Sequence, residues 1–141
     1  MIVNQIKKMR EVEFVKFRSE YIDHLKGYNI QYLDGRTIVN PQDYSTFFKT
    51  SYNLKNYFGY NLDRLVDCLC DLDFRYDYQG YILVIYNYSE FLRGSEDNKK
   101  IFESILESLA HYLDRECLTT SGGRNNLTNF DIYLVDDNIE I

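Results

Sequence analysis

The run GYILVIYN, Gly80 to Asn87, decides the fold. It is a continuous apolar and β-branched stretch of strand length. A strand with one face in water alternates apolar and polar residues, whereas a strand covered on both faces is apolar throughout. Gly80–Asn87 therefore reads as a central strand with packing on either side.

The neighbouring segments supply that packing. Downstream, SEFLRGSEDNKKIFESILESLAHYLDRE reads as a short helix near Ser89 to Leu92 and a long one from about Glu96 to Arg115. In the long helix Ile101, Ile105, Leu106, Leu109 and Leu113 form an apolar stripe. CLTTSGGRNNLTN is a loop by composition, too irregular to cradle a phosphate, and FDIYLVD is a last strand. Upstream, NPQDYSTFFKTSYNL offers Asn40 as a helix cap and Pro41 at the first helical position. Tyr44, Phe47, Phe48 and Tyr52 then recur at helical spacing. YNIQYLDGRTI alternates at Ile30 and Tyr32 and ends in the turn dipeptide Asp34-Gly35. Before it, Phe14, Phe17, Tyr21 and Leu25 predict an amphipathic helix from about Val12 to Leu25, stopped by Gly27, although VEFVKF also alternates as a strand would. Strands alternating with helices imply an α/β layered fold with a largely parallel sheet.

The 141 residues fit one compact domain with an appended arm. Twenty-two acidic against sixteen basic residues give a net charge of -6, which repels phosphate backbones and counts against nucleic-acid binding. Cys68, Cys70 and Cys117 are an odd number with no histidine at zinc-site spacing. They read as free thiols of a reducing compartment, with Cys68 a small buried hydrophobe. The start, MIVNQIKKMREVEF, lacks the apolar core of a signal peptide, and no apolar run approaches a membrane span. His111 beside the long stripe reads as structural, and His24 carries no signal.

The chemistry concentrates in YFGYNLDRLVDCLCDLD, Tyr57 to Asp73. Asp63, Asp67 and Asp71 fall four apart, so on a helix they share a face, at a cost of roughly 0.2–0.5 kcal/mol per like-charged pair. Asp63 in a first turn would complement the helix dipole, and Asn61 would cap it. Asp67 and Asp71 gain nothing of that kind, and a solvated face is the plain structural account of them.

Tyr57 to Leu69 resembles the barstar family, whose signature reads Tyr-Tyr/Phe-Gly-x-Asn-Leu/Trp-Asp-x-Leu-x-Asp-Cys-Leu. The resemblance runs from about Tyr28 to Asp136, because the DGRTI turn upstream and the order strand, short helix, long helix and strand downstream match as well. It implies a small three-stranded parallel sheet packed against helices, with residues 1–27 as an N-terminal extension and 28–141 as the domain. It also implies a cytoplasmic inhibitor of a ribonuclease toxin that has no catalysis, cofactor or metal of its own, does not bind membranes, and is a monomer before it meets its partner. Partner contacts carried over by the resemblance are Tyr57, Gly59, Asn61, Leu62, Asp63, Val66 and Asp67. Asp71 extends the acidic face, and Glu107, with Glu103 and Glu96 as alternatives, would be the contacting acid of the long helix.

The chemistry fits that role. A ribonuclease site holds phosphate with Arg, Lys and His, and carboxylates fixed on a helix can take the place of phosphate there. Opposite potentials also speed the encounter. Two positions depart from the family pattern. Val66 replaces a frequent Trp, and Arg64 stands where the best-known member has a small residue, so they bear on which nuclease is bound. Two other functions fit the acids: a regulatory module for a non-nuclease basic partner, or an Mg²⁺-dependent enzyme using Asp63, Asp67 and Asp71.

Overall fold

The computed structural model describes residues 6–54, 64, 65, 68, 78–119 (backbone alone over 111–119) and 130–138. Among these, four parallel strands form one sheet: β1 (Ile6–Met9), β2 (Tyr28–Asp34), β3 (Gly80–Tyr86) and β4 (Phe130–Val135), in the order β1-β4-β3-β2. The helices are α1 (Glu11–Glu20), α2 (Pro41–Ser51) and α3 (Glu96–Thr119), with 3-10 turns at Ile22–His24, Gly35–Thr37 and Tyr88–Glu90.

β3 is central, as its sequence requires, and alternation sends its side chains into two separate cores. Tyr81, Leu83 and Ile85 point to one face, where Leu33, Phe130, Ile132 and Leu134 join them under Tyr44 and Phe48 of α2 and Phe102, Leu106 and Leu109 of α3. Ile82 and Val84 point to the other face, with Tyr133 and Val135, under Met9, Phe14 and Ile22. The barstar-like α/β architecture with a parallel sheet is thus present, but the sheet has four strands instead of the three expected. The fourth is β1, which pairs Ile6 with Ile132 and Met9 with Val135. Its exposed Lys7 and Lys8 lie on an edge, where charge discourages pairing with another chain.

Local chemistry sets the helix boundaries. The Asn40 side chain accepts from Asp43 N–H, the Asp43 carboxylate accepts from Asn40 N–H, and Pro41 follows the cap, so α2 begins in a complete capping box. α1 is shorter than its periodicity predicts. It ends at Glu20, and Ile22–His24 form a 3-10 turn that buries Ile22 instead of continuing toward Leu25. The short helix expected near Ser89–Leu92 is likewise a 3-10 turn at Tyr88–Glu90. On α3 the buried stripe is Phe102, Ile105, Leu106 and Leu109, while Ile101 is 45% exposed. Ile101 lies about 100° round the helix from Phe102, and the larger ring takes the centre of the face.

Gly35 packs the β2 turn against the end of β3. A Cβ there would lie 2.4 Å from the Asn87 carbonyl oxygen, so only glycine allows this approach.

Candidate functional site

The core that holds α2 and α3 also holds the segment with the acidic motif. Arg64, Leu65 and Cys68 are helical; Leu65 is fully buried and Cys68 nearly so, while Arg64 is exposed. Leu65 and Cys68 are three apart, share a face of helical backbone, and both belong to the core on the α2 and α3 side of the sheet. Cys68 is buried in the core, as its small size suggests. Tyr57, Gly59, Asn61, Leu62, Asp63, Val66, Asp67 and Asp71 lie outside the described residues.

Glu107 is described, and it is exposed on α3. It borders a groove of about 590 Å³ between α3 and β1, with Ile6, Leu106 and Leu134 as the apolar part and Lys7, Lys8 and Glu103 as its charged neighbours. Glu103 is engaged, because its carboxylate accepts a 2.8 Å hydrogen bond from the Tyr88 hydroxyl. Burial, reinforced by that bond, pushes the Tyr88 hydroxyl far above the usual tyrosine range. Lys99 closes the cluster, donating to the Tyr88 carbonyl at 3.1 Å with its ammonium 4.4 Å from the ring centre. Of the two acids at this groove, Glu107 is the one aimed at solvent. The two lysines beside it were not foreseen from the sequence. Ile6-Lys7-Lys8-Met9 shows no apolar–polar alternation, so the sequence carried no strand signal there.

Carboxylates also order the carboxyl ends of the strands. Asp34 accepts from Arg36 Nε at 3.1 Å and Nη2 at 2.7 Å, and from Asn87 Nδ2 at 3.0 Å. The Arg36 hydrogen bonds outweigh partial burial and hold the Asp34 carboxyl well below the usual carboxylate range. At Asp136, burial alone would raise the carboxyl. Hydrogen bonds from Asn138 N–H and from the Ser89 N–H and hydroxyl overcome it and hold the group low. These contacts fix the ends of β2, β3 and β4 relative to one another. They organise structure; they do not present a reactive group.

No helix of the described residues is long and apolar enough to cross a membrane. Neither the curated proteins nor the solved structures contain a match to this sequence. The family model described as Barstar (barnase inhibitor) matches residues 28–130, which takes in β2, β3, all of the helical layer on one face of the sheet, and the acidic motif. With nearly three quarters of its length covered, the chain belongs to the barstar family.

Proposed function

We propose that this protein is a cytoplasmic immunity protein that occupies the active site of a cognate ribonuclease toxin with Asp63 and Asp67. Family membership supports a ribonuclease-inhibitor role in general, and barstar-family proteins are inhibitors, not enzymes. The observation that carries the finer reading is the seating of the motif helix. Leu65 and Cys68 are buried and helical, and on an ideal helix positions 63 and 67 fall on the side away from that pair. A face anchored from behind keeps its outward carboxylates in fixed positions, as a stand-in for phosphate requires. Tyr57, Gly59, Asn61, Leu62 and Val66 would complete the contact surface, with Asp71 at its margin and Glu107 as a secondary contact from α3.

The test is co-purification of the protein with the product of the adjacent gene, followed by an RNA-cleavage assay of that product. The protein is expected to abolish RNA cleavage at a one-to-one ratio, and Asp67→Ala to weaken the complex by at least a hundredfold, in line with the loss of one partner of a desolvated charge pair. If Asp67→Ala inhibits as well as the parent chain, the acidic face is not what blocks the enzyme.

A further inference from the structure

The layer on the α1 side of the sheet is incomplete. α1 has ten residues, and between it and the carboxyl ends of the strands lies a second groove, of about 940 Å³. Its floor is Phe14, Val84 and Val135, all buried. Its walls are Val15, Tyr32 and Tyr86, which are 48%, 41% and 38% exposed, an unusual share of large apolar surface left in water. Around the opening stand the carboxylates of Glu11, Asp23 and Asp137, with the buried Asp136 beneath them, against the guanidinium of Arg18 in the lining and that of Arg10, which donates to the Asp137 carbonyl at 3.3 Å.

Three observations separate this groove from the ribonuclease-binding face. Among the described residues, neither Arg64, Leu65 and Cys68 of the motif segment nor Glu107 lines it. The crevice opens at the carboxyl ends of parallel strands, where open α/β sheets take their ligands. Nine of its thirteen lining residues lie outside the segment matched by the family, in the arm before Tyr28 or in the stretch after Phe130. Five of the nine, Glu11, Phe14, Val15, Arg18 and Asp23, come from the arm before Tyr28.

We propose that this groove docks an arginine- or lysine-bearing segment of a protein partner. Tyrosine faces beside carboxylates suit a guanidinium or ammonium group, which can lie over the rings while hydrogen bonding to the acids. The aliphatic stem of such a side chain matches the apolar floor. The rim is rigid: Asp136 is held by Ser89 and Asn138, and Asp137 Oδ1 accepts from Glu11 N–H at 3.2 Å. Among the described residues no group of three or more His, Cys, Asp or Glu side chains is placed to hold a metal ion. The net charge of -6 favours the same class of partner. The site does not depend on the partner's being a nuclease.

The experiment is an amide NMR titration of the full chain with an acetylated, amidated tetra-arginine peptide. Saturable shifts are expected at Val15, Tyr32, Tyr86 and Asn138. Asp23→Asn combined with Tyr32→Ser, both at exposed positions, should weaken the apparent Kd by about tenfold. Asp63→Asn with Asp67→Asn should leave it unchanged. The proposal is overturned by shifts centred on residues 57–71, by no saturable shift at all, or by unaltered affinity in the Asp23/Tyr32 variant. It is also overturned if the groove amides shift with protein concentration alone, which would assign the surface to a second copy of the chain.

Discussion

Replacing Phe14 by alanine tests whether the segment before Tyr28 is part of the folded core. Phe14 is 5% exposed, and its ring centre lies 6.5 Å from both Phe17 and Tyr133. Truncating a core Phe costs about 3–5 kcal/mol, from lost transfer energy plus the cavity left behind. Phe14 borders an open groove, so neighbours and water can relax into the space, which favours the lower end, about 3 kcal/mol. Against a total of about 5–15 kcal/mol, that is a large fraction of stability. With a urea slope of about 2 kcal/mol/M, the unfolding midpoint should fall by about 1.5 M. Far-UV circular dichroism reads the midpoint, and hydrogen exchange locates the weakened amides. The expected pattern is faster exchange in β4 as well as in residues 6–24, because β1 pairs with β4 and Phe14 packs on Tyr133. A midpoint shift below about 0.3 M, with faster exchange confined to residues 6–24, would show that the arm opens independently and would refute this reasoning.

Three further substitutions follow from local geometry. Gly35→Ala forces a Cβ against the Asn87 carbonyl and the Tyr86 oxygen, all backbone atoms that cannot swing aside. The cost should be near 3 kcal/mol, seen as a fall in Tm of about 10 °C, and an unchanged Tm would mean that the end of β3 yields. Asn40→Ala removes the acceptor for Asp43 N–H and should cost about 1 kcal/mol in a denaturant titration; no loss would show that the capping box contributes nothing. The Asp34 carboxyl is depressed, so the folded state binds fewer protons than the unfolded state once pH drops toward the ordinary value of 3.8. The resulting stability is present above that pH and is lost as pH falls through the lowered folded value. Arg36→Ala removes the largest cause, so Asp34 should titrate at higher pH by carboxyl-carbon NMR and the acid loss of stability should become shallower. An unmoved titration would contradict the assignment.

Much of the fold is legible because it depends on near neighbours in sequence. The apolar run of β3 announces burial on both faces, and Asn40 with Pro41 announces the start of α2. What escapes depends on contacts distant in the chain. β1 has four residues, two of them lysines, and only its pairing with β4 more than 120 residues later makes it a strand. Ile101 and Phe102 are both apolar, but Phe102 stands at i, i+3, i+4 and i+7 with Ile105, Leu106 and Leu109, so helical spacing by itself puts Phe102 on the buried stripe and Ile101 at its margin. The acidic motif was legible in full as a pattern, since its spacing is local. The groove beside α1 was not, because the arm, β2, β3 and the chain after β4 meet there only through the topology.

The arm also changes how the proposed inhibitory surface should be weighed. By completing the sheet, β1 brings Lys7 and Lys8 to the groove where Glu107 stands. Lys8 lies on the α3 side of β1, in register with Leu134, and its positive charge beside that carboxylate reduces the negative potential it presents to a basic partner. Glu103, the neighbouring acid, is already bound to Tyr88. The long helix is therefore a weaker source of attraction for a nuclease here than its acidic residues alone imply. Under the proposed function, most of the attraction then falls to Asp63 and Asp67. Loss of Asp67 should accordingly be more damaging than loss of Glu107, and Lys8 of β1 contributes to that order.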